Sequence, residues 1–343
     1  MILILNCGSQ TIKFKLFDKD LAKIKGGQVS AKNPQEYRGF LISELKKIKD
    51  IEANIEIIGH RVVYGGRDSD GPVRITAGVL KELKKYETLA PLHQPYNLLG
   101  IRTAQKIFPK AKQLAVFDTA FFKGLPIVAK TYALPQNLRV KYGLERFGFH
   151  GISHEYAARE AAKKFKKPLA KLKIITCHLG GGASITAVRN GKAFDTSMGL
   201  TPLAGLVMMT RAGSIDPGIL LYLGEKAKIS NQKLKHILNY ESGVKGICGK
   251  GDMLEVLQAM KKGNKKAGLA LDVFVYAIKK YIGAYYAILN GCDILVFTGA
   301  IGFGSAKIRN MICKNLDILK RTKVLAIKSN EELAIAQKIK EEL

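Results

Sequence analysis

Four side chains in this sequence carry a charge or a titratable proton in surroundings where that is costly. Arg61 follows His60 and leads into Val62-Val63, and Arg211 sits between Val207-Met208-Met209 and Ala212-Gly213. A guanidinium beside apolar or glycine-rich chain is unfavourable unless it meets an anion. That anion is either a substrate or an internal partner such as Asp118 or Asp216. Asp118 closes an apolar run at 113–117, and open α/β sheets build their sites at the carboxyl ends of strands. Capping a helix is the other use for an aspartate there. His150 lies in Phe147-Gly148-Phe149-His150-Gly151-Ile152-Ser153-His154. An imidazole beside an aromatic ring in a glycine turn suits a hydrogen-bond donor to a charged transition state. The spacing of His150 and His154 resembles a helical metal pair, but no Glu follows the first His as in zinc proteases. His154 and His93 are read as structural.

Two turns offer donors to an anion. Asn6, Ser9, Thr11 and Lys13 place an amide, two hydroxyls and an ammonium around the first turn, a set that suits phosphate and the water shell of Mg²⁺. Taken alone, the segment reads first as a plain surface hairpin, and its recurrence in the second half raises the functional reading. Gly180-Gly181-Gly182 is not a dinucleotide fingerprint, because that motif runs from a strand into a helix. Here the chain continues as the alternating Ser184-Ile185-Thr186-Ala187-Val188, and then reaches Asn190-Gly191, a strong hairpin turn. The triplet is a phosphate-contacting hairpin or a simple structural turn.

These residues must be positioned by strands and helices in alternation, which is an α/β arrangement. Residues 2–18 read as strand, polar turn and strand, and 173–188 repeat the pattern. One copy in each half suggests two related domains, each presenting backbone N–H groups to an anion between them. Further strands are expected at 54–58, 113–117 and 293–297, and helices at 95–107 and 267–289. A last helix opens at Asn330, with Glu331 and Glu332 in its first turn. At 343 residues and 47% hydrophobic content the chain can bury a large core. No apolar run approaches the ~20 residues that span a bilayer. The N-terminal segment is expected to be a first strand rather than a signal peptide. The five cysteines show no Cys-x-x-Cys spacing, which points to free thiols in a reducing cytosol. A net charge of +28 comes from lysines spread along stretches such as 80–85 and 161–167, so solvated faces explain it better than a nucleic-acid partner.

The sequence as a whole resembles the acetate kinases, within the fold group of acetate and sugar kinases, Hsp70 and actin. The segments that carry the resemblance are Asn6-Cys7-Gly8-Ser9 with Lys13-Phe14, His60-Arg61-Val62-Val63-Tyr64-Gly65-Gly66, Ala90-Pro91-Leu92-His93-Gln94-Pro95 and Phe117-Asp118-Thr119-Ala120-Phe121. They continue with 146–154, the block 198–217, Thr298-Gly299-Ala300-Ile301-Gly302 and Asn330-Glu331-Glu332-Leu333. The resemblance implies two related actin/ribonuclease-H-like α/β domains with a central active-site cleft, one formed by 1–119 with the returning 331–343 and the other by 120–330. It implies reversible, Mg²⁺- or Mn²⁺-dependent transfer of the ATP γ-phosphoryl group to acetate, giving acetyl phosphate and ADP.

In that scheme Arg61, Asp118, His150 and Arg211 are catalytic, and Asn6 and Glu331 match the metal site. Ser9, Thr11, Lys13, His178, Gly180, Gly181, Gly182, Gly299, Ala300, Ile301 and Gly302 would bind the nucleotide. Val63, Leu92, Phe149 and Pro202, together with Arg61, would hold the acetate. Such a pocket discriminates against one extra methylene by only ~1–3 kcal/mol, so a propionate or butyrate kinase is the neighbouring reading. A nucleotide-binding relative of low activity is a third. The chain departs from the usual pattern at Gln10-Thr11, Phe122, Gly181, Ala204, Met209, Ser214 and Phe303-Gly304. The resemblance further implies a homodimer, and the cysteines, the apolar runs and the charge pattern are read as those of a cytoplasmic protein with no membrane or nucleic-acid partner.

Overall fold

The computed structural model describes residues 1–8, 11–31, 33–52, 54–66 and 71–342. They form two compact units. The first is Met1–Lys123 with Phe149–Tyr156 and Asn330–Leu343, and the second is Gly124–Gly148 with Ala157–Ser329.

The first unit is built on β1 (Ile2–Cys7), β2 (Thr11–Phe17), β3 (Lys23–Ser30), β4 (Ile57–Val62), β5 (Val73–Arg74) and β6 (Lys112–Phe117), in the order β3-β2-β1-β4-β6-β5. β1, β2 and β3 are antiparallel neighbours, whereas β4 runs parallel to β1 and β6 parallel to β4. All six residues of β1 are buried, as its continuous apolar run requires of a strand covered on both faces. β2 alternates instead: Ile12, Phe14 and Leu16 turn inward, and Thr11, Lys13 and Lys15 stay half-exposed.

On one side the sheet packs against the helices Pro34–Ile51 and Gln94–Ile107, through Leu3, Leu5, Phe14, Leu41, Leu45 and Ala104. Ile2, Ile4 and Val116 pack with Ile152 and with Ile335 and Ile339 of the last helix, Glu331–Glu341. Gly59 marks how closely that helix approaches β4, since a Cβ there would fall 2.5 Å from Ile339 Cδ1. The strand expected at 54–58 lies three residues later. Pairing of Ile57 through His60 with β1, and of Ile57 through Val62 with β6, draws the polar His60 and Arg61 into the strand itself.

The second unit repeats this plan. β7 (Lys173–Leu179), β8 (Ala183–Arg189), β9 (Lys192–Thr196), β10 (Ile294–Thr298) and β11 (Lys323–Ala326) are ordered β11-β10-β7-β8-β9. Again three antiparallel strands come first, and two parallel strands are added on the other side of the first. Asn190 (φ +54°) and Gly191 (φ +76°) form the left-handed turn expected between β8 and β9. The helix Lys265–Leu289 buries Phe274, Ile278 and Ile282 and is closed by Asn290 in the left-handed conformation. Among the described residues no helix is long and apolar enough to cross a membrane. Cys7, Cys177 and Cys292 are buried free thiols, and Cys248 and Cys313 are half-buried ones.

Candidate active site

In the first unit the carboxyl ends of β1, β4 and β6 bring Asn6, Arg61 and Asp118 to one place, and the start of the last helix adds Glu331. The Arg61 guanidinium is held on two sides. Its Nη2 lies 2.7 Å from Asp118 Oδ2 with Nε at 3.2 Å from both oxygens of that carboxylate, and its Nη1 donates to Glu331 Oε2 at 2.9 Å. The internal partner considered for Arg61 is therefore present, and it is Asp118. Nη1 also reaches Asn6 Oδ1 at 3.3 Å, while Asn6 Nδ2 donates to Glu331 Oε2 at 2.9 Å and to Glu332 Oε1 at 3.1 Å. Burial works against the charge on Arg61, but Asp118 and Glu331 more than offset it, and the guanidinium is held above its ordinary pKa. Burial raises the Asp118 carboxyl, with Arg61 pulling it back down.

His150 reaches this group through the backbone. It adopts a left-handed φ of +58° just before the helix Gly151–Phe165, and its backbone N–H bonds Asp118. The next residue must be glycine: Gly151 N donates to Asp118 O at 3.0 Å, and a Cβ at Gly151 would lie 2.1 Å from that oxygen. His154, one turn on, is fully buried with its ring 6.2 Å from that of Phe122, in keeping with a structural role. Val63 and Phe149 are buried and Leu92 is half-buried. The Phe149 ring lies 5.8 Å from that of Tyr64. Thr11 and Lys13 are half-exposed on β2, and Ser9 lies outside the described residues.

Three further residues of this site were not visible in the sequence. Asn97 accepts from Val63 N at 3.0 Å and donates to Cys7 O at 2.7 Å, tying the segment after β4 to β1. Gln113 holds His60, with Oε1 2.6 Å from Nε2. Lys15 Nζ lies 2.9 Å from Glu332 Oε2. Each joins elements far apart in the chain, and the only signal available was the outward position of Lys15 on β2, which Thr11 and Lys13 share.

The second unit gathers the remaining candidates. His178 is the register partner of Thr298, so the ends of β7 and β10 lie side by side. Gly180 N donates to Gly182 O at 2.9 Å, closing the turn after β7. Gly299 opens the short helix Gly299–Gly304 with φ +78°, and a Cβ there would sit 2.5 Å from Leu179 O. Gly302 faces Cys177 O in the same way, at 3.4 Å. The turn 180–182 and the segment 299–302, with Ala300 and Ile301, are thus neighbours. Met209 N donates to Gly181 O at 3.3 Å, which brings the segment bearing Arg211 to the same turn. Arg211 is buried, and its Nη1 donates to Pro202 O at 3.1 Å. Burial lowers its pKa to about 10. Asp216 instead caps the helix Pro217–Lys226, accepting from Gly218 N at 2.8 Å.

The acetokinase family profile matches residues 28–321. The chain belongs to the acetokinase family. The acetate kinase of Halothermothrix orenii is 41% identical to it over 98% of both chains, and that of Helicobacter pylori 41% identical over 99% of this chain and 98% of its own. Among solved structures, Porphyromonas gingivalis acetate kinase superposes with a TM-score of 0.87 at 34% identity, over 98% of each chain. A propionate kinase from Francisella tularensis gives 0.88 at 38% identity, again over 98% of each. The two sheets of this acetokinase accordingly form a two-domain, actin-like α/β fold. Its polar cluster can also be tested against the metal such kinases use. Among the described residues no group of three or more His, Cys, Asp or Glu side chains is placed to hold an ion. Mg²⁺ does not need one, since it takes one or two carboxylates and completes its shell with water and substrate phosphates. The hard oxygens of Asn6 and Glu331 fit that requirement.

Proposed function

We propose that this acetokinase transfers the γ-phosphoryl group of ATP to the carboxylate of acetate, reversibly, giving acetyl phosphate and ADP. The observation that carries the reading is the Asn6–Arg61–Asp118–Glu331 cluster at the carboxyl ends of three strands, in a chain of this family. Arg61 is oriented before any substrate arrives, because Asp118 grips one edge of its guanidinium and Glu331 the other. A charge fixed in advance, in a site shielded from water, stabilises the transferring phosphoryl group without the cost of reorganisation.

One acetate oxygen attacks the γ-phosphorus in line, the bond to the β-phosphate oxygen breaks, and ADP leaves with that electron pair. Arg61, Arg211 and His150 counter the charge that spreads over the equatorial oxygens, and Asp118 keeps Arg61 in place beside the acetate. Val63, Leu92, Phe149 and Pro202 receive the methyl group. His178, Gly180, Gly181, Gly182, Gly299, Ala300, Ile301 and Gly302 bind the nucleotide, with Ser9, Thr11 and Lys13 of the first turn supplying further donors. Mg²⁺ or Mn²⁺, held by Asn6 and Glu331, would neutralise charge on the nucleotide phosphates. The domain division, 1–119 with 331–343 against 120–330, belongs to the same proposal.

A cytoplasmic homodimer completes it. The support is that, among the described residues, every exposed large hydrophobic side chain except Ile24 and Ile51 belongs to the second unit, Val128 and Leu221 among them. A hydroxamate assay with ATP, Mg²⁺ and C2–C4 carboxylates tests the activity. Acetate is expected to give acyl phosphate, with propionate following at reduced efficiency. No product from any of these acids at high enzyme concentration overturns the reading.

A further inference from the structure

Lys15 takes no part in the chemistry above, yet its ammonium is directed into the group that does. It projects from the half-exposed face of β2, and Nζ lies 2.9 Å from Glu332 Oε2. The same Nζ donates to Asn330 Oδ1, the oxygen that caps the last helix. Glu332 is the second residue of that helix and is 6% exposed. Its other oxygen, Oε1, accepts from Asn6 Nδ2. The amide nitrogen of Asn6 therefore gives its hydrogens to two carboxylates, Glu331 and Glu332, and its oxygen is left turned toward Arg61 Nη1. Rotating the amide by half a turn would set its oxygen against both carboxylates. That preference lasts only while Glu332 is held in place, and Lys15 is the cation that holds it.

We propose that Lys15 is a positioning residue for the metal. By holding Glu332 and Asn330 it fixes the start of the last helix, and through Glu332 it fixes which end of the Asn6 amide is available as an oxygen ligand. The inference rests on the assignment of Asn6 and Glu331 to Mg²⁺. It assigns Lys15 a role distinct from that of Lys13, two residues earlier on the same face, which is read as a nucleotide contact.

Lys15→Met and Lys15→Arg in the full chain, compared with the unaltered protein, test this. Acyl phosphate formation is measured against Mg²⁺ concentration. Binding of Mn²⁺ in the presence of ADP is followed separately by electron paramagnetic resonance of the free ion. In Lys15→Met the Mg²⁺ requirement and the Mn²⁺ dissociation constant are expected to rise about 10–100-fold, the usual cost of losing a group that orients a metal ligand. Turnover at saturating metal should change little, and Lys15→Arg should restore metal binding. If Lys15→Met does not fold, Lys15→Gln, which keeps a donor without the charge, is measured in its place with the same expected rise. Unchanged Mn²⁺ binding in the neutral variant overturns the role of Lys15. So does a loss confined to turnover, with metal dependence unaltered. Metal-independent turnover by the unaltered protein would instead overturn the magnesium assignment, and the role of Lys15 with it.

Discussion

Arg61 and Arg211 are the same side chain solved in two ways. Arg61 is compensated by two carboxylates, whereas Arg211 is buried against a backbone carbonyl and the Met208 sulfur and has its pKa lowered. Replacing either by Met should lower turnover by about 10²–10³-fold or more, as losing a group that stabilises transition-state charge does. Stability should separate them. Arg61→Met leaves the buried Asp118 and the half-buried Glu331 without that cation, a loss of roughly 3–5 kcal/mol, while Arg211→Met takes out a guanidinium whose pKa burial already lowers and should cost less. Steady-state kinetics and thermal melts of the two variants check both halves. A normal turnover in either removes that arginine from the mechanism.

Beside Arg61, His60 makes a pH prediction. It is 2% exposed, and burial lowers its pKa from 6.5 to about 4, with Gln113 opposing. The fold therefore favours the neutral ring. The unfolded chain takes up a proton first as pH falls through 6.5, so stability declines from there and levels off below about 4, by at most ~3 kcal/mol. In His60→Gln this part of the slope between pH 6.5 and 4 should vanish. An identical slope would assign acid sensitivity elsewhere.

At the scale of elements, the hairpin repeat was legible because strand alternation, glycine turns and Asn190-Gly191 are local signals, and it proved to be one order of five strands used twice, with β5 added at the edge of the first sheet. The helix opened by Asn330 was legible for the same reason, through its cap. What could not be read was anything settled by distant neighbours. β4 takes its limits from β1 and β6, and Lys15 finds Glu332 across more than 300 residues of chain. The five-residue π-turn Ile237–Glu241, which receives Ala212 N on Leu238 O beside Arg211, also left no local trace.

Glycine chemistry shows the same limit. The conspicuous triplet 180–182 contains no positive φ, and a Cβ at Gly181 would meet nothing within 4 Å. The backbone requirement lies instead at Gly299, with φ +78° and the Leu179 carbonyl in the way. Gly299→Ala should thus cost more than the ~0.4–1 kcal/mol scale of an ordinary glycine substitution and weaken ATP binding, whereas Gly181→Ala should fold as well as the parent. Denaturant melts and the KM for ATP decide between them. Equal stability of the two variants would place the constraint outside the Gly299 turn.

For the whole molecule, the net charge of +28 acts on two kinds of association in opposite directions. ATP and acetate are anions, and a strongly positive protein raises their local concentration and capture rate, an advantage that salt screens over a Debye length of ~8 Å at physiological ionic strength. Two copies of the chain repel one another through the same field. If they nevertheless pair, the attraction must come from apolar burial, and the exposed apolar side chains of the second unit are available for it. Salt then removes the repulsion and leaves the apolar term in place. Raising NaCl from roughly 20 to 300 mM should lower kcat/KM for ATP and at the same time tighten the dimer. Sedimentation equilibrium at the two salt concentrations, run beside the kinetics, measures both. A dimer that dissociates as salt rises would mean an interface held by ion pairs, and a chain that stays monomeric at both would remove the homodimer from the proposal.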